Sequence, residues 1–193
     1  MTEIEAIHML QAQTGDFLRK CSIDAQTLGA GPASLGTFYM KDKLESRSHP
    51  GKYLGNLHRQ GGQRFQAQNN AVHGGTAFPA IHIPVRPSNV AINAFPLPPV
   101  GAHVMLTTQL TGCSIVMIPG PATFSVAHLQ PTGETGAALR QRLKAAGLQV
   151  YGMGDFGVGR ATVVGVRLGG SWRFFAQAQD AYFNVMQVKE LTA

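Results

Sequence analysis

The sequence is poor in charged residues, in cysteine and in long apolar runs. Charged residues make up 13% of its 193 positions and apolar residues 44%. This balance excludes a charge-rich disordered chain and predicts one domain with one sizeable core. Two cysteines, Cys21 and Cys113, exclude a disulfide framework, although a single bridge stays open. No apolar run approaches the roughly 20 residues that span a bilayer, so we expect no transmembrane segment.

The N-terminal residues lack the pattern of a secretory signal peptide. Residues 1–5 show no basic stretch leading into an apolar one, as a Sec-type signal would. We therefore expect a chain made in the cytoplasm that leaves the cell, if it does, without a cleavable signal.

The charge balance is basic, with 16 Lys and Arg against 10 Asp and Glu. The basic residues are scattered, and the sequence shows no basic run interleaved with aromatics and no zinc-knuckle spacing. This pattern predicts no nucleic-acid partner. An attraction to acidic protein surfaces or anionic membranes stays open.

Two segments have helical patterns. Thr2 and Glu5 form a capping box, and apolar spacing predicts a helix over residues 3–20. A second helix is predicted after residues 131–135, ending at Gly147 in the C′ position.

The remaining pattern favours strands and turns, in line with 23 Gly and 11 Pro. Gly169 and Gly170 indicate a two-residue hairpin. Loops or connectors are predicted over 28–51, 52–75 and 95–99, which divides the chain into an N-terminal helical arm and linker, 1–50, and a main domain, 51–193. The fold class is α+β, with a mostly antiparallel sheet system. Strands are predicted at 81–85 (edge or bulge, because of Pro84), 90–92, 104–107, 148–151, 161–168, 171–175 and 182–188.

The segment from Cys113 to His128 is the candidate site. Two apolar strands flank a Pro-Gly-Pro turn at 119–121. If the turn centres between Gly120 and Pro121, Cys113 lies opposite His128, with Cβ atoms roughly 4.5–5.5 Å apart. A thiol beside an imidazole is the minimum for cysteine nucleophilic catalysis.

Competing explanations of this pair come from packing and from spacing. Apolar residues share its face, so Cys113 is also explained as a buried core residue. The papain order is excluded because its histidine lies roughly 130–150 residues downstream. A zinc site at Cys113 fits poorly, because no second cysteine or nearby histidine in the sequence would supply further ligands. The glycine-rich segment 152–159 mimics a dinucleotide fingerprint, but no helix is predicted after it; it could border the site. We expect no metal and no cofactor.

Leu110-Thr111-Gly112-Cys113, with His128 fifteen positions later, resembles the cytotoxic necrotizing factor and Burkholderia lethal factor family of glutamine deamidases. The family signature is Leu-Ser-Gly-Cys followed by a histidine on the next strand, and Thr111 stands where the family usually has serine. The resemblance implies a sandwich of mixed β-sheets flanked by helices.

The resemblance also implies a mechanism. Cys113 would attack the side-chain carboxamide of a glutamine on a target protein, and backbone amides of Gly112, Cys113 and Ser114 would stabilise the oxyanion. His128 would protonate the departing ammonia and then activate water; an amine arriving first would give transglutamination instead. Such enzymes orient the histidine with a third oxygen, often a backbone carbonyl. Thr107 is the best match by position.

Further polar residues receive lesser roles. His103 and Gln109 could replace Thr107 as the orienting group, and Asp155 is a weaker candidate. Cys21 and Trp172 are expected to pack. Four further histidines are expected at the surface or in loops: His58, His73, His82 and His103.

The resulting expectation is a bacterial effector, secreted or injected, that acts as a monomer in the host cytosol. Its substrate would be a glutamine on a host GTPase or translation factor. Two further classes stay open: another papain-like cysteine hydrolase or chemoreceptor-type deamidase, and a non-enzymatic α+β binding module in which Cys113 is buried.

Overall fold

The computed structural model describes residues 1–29, 32–43, 63–72, 74–89, 91–157 and 159–191. This part of the chain contains three helices: α1 (Glu3–Ala12), α2 (Thr14–Lys20) and α3 (Gly136–Ala145). Its strands are β1 (Ser22–Asp24), β2 (Ser34–Asp42), β3 (Arg64–Gln68), β4 (Thr76–Ile83), β5 (Val85–Pro87), β6 (Phe95–Pro96), β7 (Val104–Thr107), β8 (Ser114–Pro119), β9 (Phe124–Gln130), β10 (Gln149–Gly152), β11 (Arg160–Leu168), β12 (Ser171–Gln179) and β13 (Val185–Glu190).

The strands form two mixed sheets. The larger has the order β1-β3-β2-β4-β7-β11-β12-β13, and the smaller has the order β10-β8-β9-β5, with β6 also paired to β9. Pairs β1–β3, β4–β7 and β5–β9 are parallel, and the others are antiparallel. The chain leaves the larger sheet at Ile83 and enters the smaller one at Val85. Pro84 stands at this crossing, where its missing N–H interrupts no ladder.

The helices and sheets form four layers, with one apolar cluster between each pair of neighbouring layers. Leu10 and Phe17 of the first two helices pack on one face of the larger sheet. The opposite face packs against the smaller sheet, with Met105 facing residues such as Ile115. Leu139 of α3 packs on the outer face of the smaller sheet. The order of layers is therefore helices, sheet, sheet, helix, which confirms the α+β sandwich flanked by helices.

The N-terminal residues belong to this core rather than to a separate arm. The predicted capping box is present, because Thr2 Oγ1 accepts from the Glu5 N–H and the Glu5 carboxylate accepts from the Thr2 N–H. The predicted single helix over 3–20 is two helices. The Thr14 hydroxyl donates to the Leu10 carbonyl at 2.8 Å, which takes the acceptor that a continuous helix would offer to the Thr14 N–H.

Two predicted loops contain strands. Residues 34–42 and 64–68 form β2 and β3, while residues 44–62 lie outside the described part. Gln66 and Gln68 of β3 are buried and bonded to each other at 3.0 Å. Their polarity hides the strand from a hydrophobicity pattern.

Several predicted strands and connectors differ in position from the observed ones. Residues 91 and 92 are irregular, and residues 95–96 form β6 instead of a connector. The last strand begins at Val185, because the Asp180 carboxylate binds the N–H groups of Tyr182 and Asn184 in a turn. The Gly169-Gly170 hairpin is confirmed by the β11–β12 register, in which Leu168 faces Ser171.

Glutamine side chains join β1 to β12 across the curled larger sheet. Gln177 Nε2 donates to the carbonyls of Leu18 at 2.5 Å and Cys21 at 2.7 Å, and Gln177 Oε1 accepts from the Ile23 N–H at 2.9 Å. Gln179 Nε2 donates to the Ile23 carbonyl at 2.8 Å. These side chains supply the partners that a backbone ladder would otherwise give to edge strand β1.

Candidate cysteine-histidine site

The β8–β9 hairpin has a register two residues away from the predicted one. Pro119 faces Phe124 and Ile115 faces His128, so Cys113 is not directly opposite His128. The Gly120 N–H donates to the Thr123 carbonyl at 2.8 Å and closes a four-residue loop. A proline after this glycine has φ fixed near −65°, which excludes the type I′ turn that two-residue hairpins favour.

A shift of two residues leaves the pair on one face of the sheet. Side chains alternate with a period of two, so Cys113 points to the same side as Ile115 and His128. This side faces the larger sheet, because Ile115 lies in the cluster between the two sheets. Cys113 immediately precedes β8, and His128 is its diagonal neighbour. Diagonal neighbours have Cα atoms about 7–8 Å apart, with Cβ atoms somewhat closer.

His128 is a buried polar group without a hydrogen-bond partner. Its exposed fraction is 1%, and neither ring nitrogen has a hydrogen-bond partner among the described residues. Burial lowers the pKa of His128 to about 3, with a further contribution from nearby His82, while the Ile83 carbonyl partly opposes the change. That carbonyl lies beside the ring without hydrogen-bond geometry. An unsatisfied buried group costs about 1–3 kcal/mol, so packing alone does not explain this histidine.

Thr107 does not orient His128. Its hydroxyl donates to the Val163 carbonyl and accepts from the Val163 N–H, both at 3.3 Å, which fastens β7 to β11. Gln109 donates to the Gln179 side chain at 3.0 Å. Neither ring nitrogen of His128 bonds to Thr107 in this structure. Among the described residues, the backbone group that acts on the imidazole is that of Ile83.

Asp155 and His103 do not take the orienting role in place of Thr107. Asp155 is engaged by Arg140, and His103 is exposed ahead of β7. A backbone carbonyl has no signature in the sequence. The only signal for Ile83 was its place within the predicted strand 81–85, next to Pro84.

Cys113 lies half-buried beside the inter-sheet core. It packs against the apolar cluster between the sheets. Burial raises the pKa of its thiol, and the backbone N–H groups of Gly112 and Thr111 partly oppose that rise. These two N–H groups therefore act on the thiol; the predicted oxyanion donors were the N–H groups of Gly112, Cys113 and Ser114. Ser114 instead belongs to β8 and pairs with strands on both sides.

His82 is a second buried histidine. The predicted strand at residues 81–85 is present in part, as the end of β4, but the side chain is not at the surface as expected. It lies in β4 with 5% exposure, and burial lowers its pKa to about 4. Its Nε2 is 3.1 Å from Thr108 Oγ1. His58 and His73 lie outside the described residues. Within the described ranges, no group of three or more His, Cys, Asp or Glu could hold a metal ion.

Comparison with protein-family models and with curated proteins finds no match to this chain. In the part of the chain that the structure describes, no helix has the length and apolar character needed to cross a membrane. The glycine-rich segment 152–159 leads into β11 and not into a helix, so it lacks the context of a dinucleotide site.

The two buried histidines predict a pH-dependent stability. Both pKa values are lower in the folded chain, about 3 for His128 and about 4 for His82, than in the unfolded chain, near 6.5. The unfolded chain therefore binds more protons below pH 6.5, and stability is lost as the pH falls. From pH 7 to pH 5 we expect each histidine to lower the free energy of unfolding by about 2 kcal/mol. Urea unfolding at both pH values measures this loss.

Glutamine variants provide the controls for this measurement. His82→Gln and His128→Gln should each remove about half of the pH dependence. An unfolding free energy that is equal at pH 7 and pH 5 would contradict the burial of both imidazoles.

Proposed function

We propose that this protein is a protein-glutamine deamidase with Cys113 as nucleophile and His128 as general base. The observation that carries the proposal is His128 itself. Its imidazole is buried and unpaired within the described residues, on the sheet face that also carries Cys113. The resemblance of residues 110–113 to the necrotizing factor family supplies the reaction.

The first half-reaction forms a thioester. Cys113 Sγ attacks the side-chain carboxamide carbon of a substrate glutamine, and His128 takes the thiol proton. The N–H groups of Thr111 and Gly112, which approach Sγ, donate to the oxyanion. The tetrahedral intermediate then breaks its C–N bond, and His128 returns the proton to the departing ammonia.

The second half-reaction hydrolyses the thioester. His128 removes a proton from water, the hydroxide oxygen bonds to the carbonyl carbon, and the C–S bond breaks. Sγ leaves and regains the proton from His128. The product is glutamate on the target protein, and the enzyme returns to its starting state.

The electrostatics fit a neutral resting pair. Burial raises the pKa of the Cys113 thiol and lowers the pKa of His128, so both side chains are neutral at pH 7. Neither ring nitrogen of His128 makes a hydrogen bond to Cys113 Sγ, so the proposed proton transfer requires the two side chains to approach each other during the attack. The imidazolium formed during attack lies beside the Ile83 carbonyl, which can accept its N–H. This carbonyl is our candidate for the orienting oxygen that the resemblance implies.

The target class also follows from the resemblance. We propose a bacterial effector that modifies a glutamine on a host GTPase or translation factor. Purified candidates from both classes should gain about one dalton per modified glutamine when incubated with the protein, because a carboxamide becomes a carboxylate. Intact-mass analysis with site mapping measures the gain.

Two cysteine variants make this experiment specific. Cys113→Ser should abolish the mass gain. Cys21→Ser should keep it, because Cys21 is buried beneath the N-terminal helices. A gain that persists with Cys113→Ser would contradict the proposal.

A second candidate is a non-enzymatic binding module. It is favoured by the packing of Cys113 against the apolar inter-sheet cluster, which is the usual setting of an inert thiol. In that case Cys113 would react with a thiol reagent only after denaturation.

A further inference from the structure

The backbone of two glycines lies in very close contact with the turn that carries Cys113. We define the nucleophile turn as residues 110–114. A Cβ built on Gly136, the first residue of α3, would lie 2.2 Å from the Gly112 carbonyl oxygen and 3.1 Å from Met153 Cβ. Contacts under 3.0 Å essentially never occur for a real Cβ, so only glycine lets α3 approach the turn this closely.

The second glycine, in the neighbouring strand β10, is in close contact with the same turn. A Cβ on Gly152, the last residue of β10, would lie 2.3 Å from Ser114 Oγ and 3.2 Å from the Cys113 carbonyl oxygen. Neither Gly152 nor Gly136 has a positive φ. Their backbone conformations are open to any residue, so close approach to the nucleophile turn is what requires glycine.

An ion pair joins the two elements that carry these glycines. Asp155 accepts two hydrogen bonds from Arg140 of α3, one of them from Nε at 2.5 Å. Its Oδ2 also accepts from the Gly152 N–H at 3.0 Å, and Lys144 Nζ lies 3.6 Å from Oδ1. The Asp155 side chain is 13% exposed. One partly buried carboxylate thus ties α3 to the end of β10.

We propose that Gly136 and Gly152, held together by the Arg140–Asp155 ion pair, are positioning residues that fix the nucleophile turn for the Cys113 reaction. The inference rests on the proposed function, because a positioned thiol matters only if Cys113 is the nucleophile. None of these four residues needs to touch the substrate. They act through the backbone of the nucleophile turn, which carries Sγ and the N–H groups of Thr111 and Gly112.

The test compares Gly136→Ala with Gly15→Ala. Gly15 lies in α2 without positive φ, and its added Cβ would make only ordinary contacts of 3.5 Å or more, so this variant is a matched control. Displacing the turn moves the N–H groups of Thr111 and Gly112 away from Sγ, which should raise the apparent pKa of Cys113 in the pH profile of iodoacetamide alkylation. Gly136→Ala should also lower kcat roughly 10- to 100-fold with little change in KM. Gly15→Ala should leave both readouts unchanged.

Asp155 variants keep the test decisive if Gly136→Ala fails to fold. Asp155→Asn retains an acceptor for the Gly152 N–H but loses the charge, whereas Asp155→Ala loses both. We expect kcat to fall from wild type to Asn to Ala, and the thiol pKa to rise in the same order. A folded Gly136→Ala or Asp155→Ala protein with an unchanged alkylation profile would overturn the proposal. Alkylation requires no substrate, so this failure is distinguishable from an absence of deamidation in the wild type.

Discussion

Replacing His128 with glutamine is expected to lower the rate of glutamine deamidation about 10²- to 10⁴-fold, the usual contribution of a general base. The effect should fall on kcat, because His128 is 1% exposed and so moves protons without binding the target surface. The rate of ammonia release, with mass mapping of the modified glutamine, measures it.

The fold should survive this substitution. The imidazole has no hydrogen-bond partner to lose among the described residues, and glutamine has a similar size and polarity. At pH 5 the variant should be more stable than the wild type, since it has no imidazole to protonate on unfolding. His103→Gln at the exposed end of the loop before β7 is the matched control and should keep full activity. Deamidation within threefold of the wild type in His128→Gln would rule out its role as base.

Replacing Gln177 with alanine is expected to lower the free energy of unfolding by about 3–5 kcal/mol. Gln177 is fully buried, and its amide binds the Ile23 N–H and the carbonyls of Leu18 and Cys21. Alanine leaves these backbone groups buried without partners, at about 1–3 kcal/mol each before relaxation. Urea unfolding at pH 7 measures the loss.

A glutamine on the neighbouring strand serves as the control for Gln177→Ala. Gln187 lies on β13 opposite Ala178, and its side chain is exposed. Gln187→Ala should change the unfolding free energy by no more than about 0.5 kcal/mol. A loss below about 1 kcal/mol for Gln177→Ala would mean that the hydrogen bonds of Gln177 contribute little to the attachment of β1.

The features of the fold that depend on residues close together in the sequence were predicted correctly. The Thr2–Glu5 capping box, the glycine with positive φ that follows α3 at Gly147 and the Gly169-Gly170 hairpin each depend on residues within a few positions of one another, and each is present. The β2 and β3 strands were missed for the opposite reason. Their place depends on partners far along the chain, just as β1 depends on Gln177, 154 positions from Ile23.

In the candidate site, too, the feature set by local strand geometry was predicted and the features set by distant parts of the chain were not. The period of two in strands placed Cys113 and His128 on one face, and that placement does not depend on a register shift of two residues. The register itself depended on a proline-containing turn and was wrong. The Ile83 carbonyl could not be found, because every residue has a carbonyl and only the crossing from β4 to β5 brings this one to His128.

The most direct test of the cysteine-histidine pair is the rate at which iodoacetamide alkylates Cys113 in the native protein at pH 7. The rate is compared between wild type and His128→Gln, with peptide mapping to separate Cys113 from Cys21. We predict that native Cys113 is alkylated faster than Cys21, which is 2% exposed, and that His128→Gln slows its alkylation at least tenfold, as loss of a general base would. Alkylation of Cys113 only after denaturation, or at the same rate in both proteins, would contradict the account.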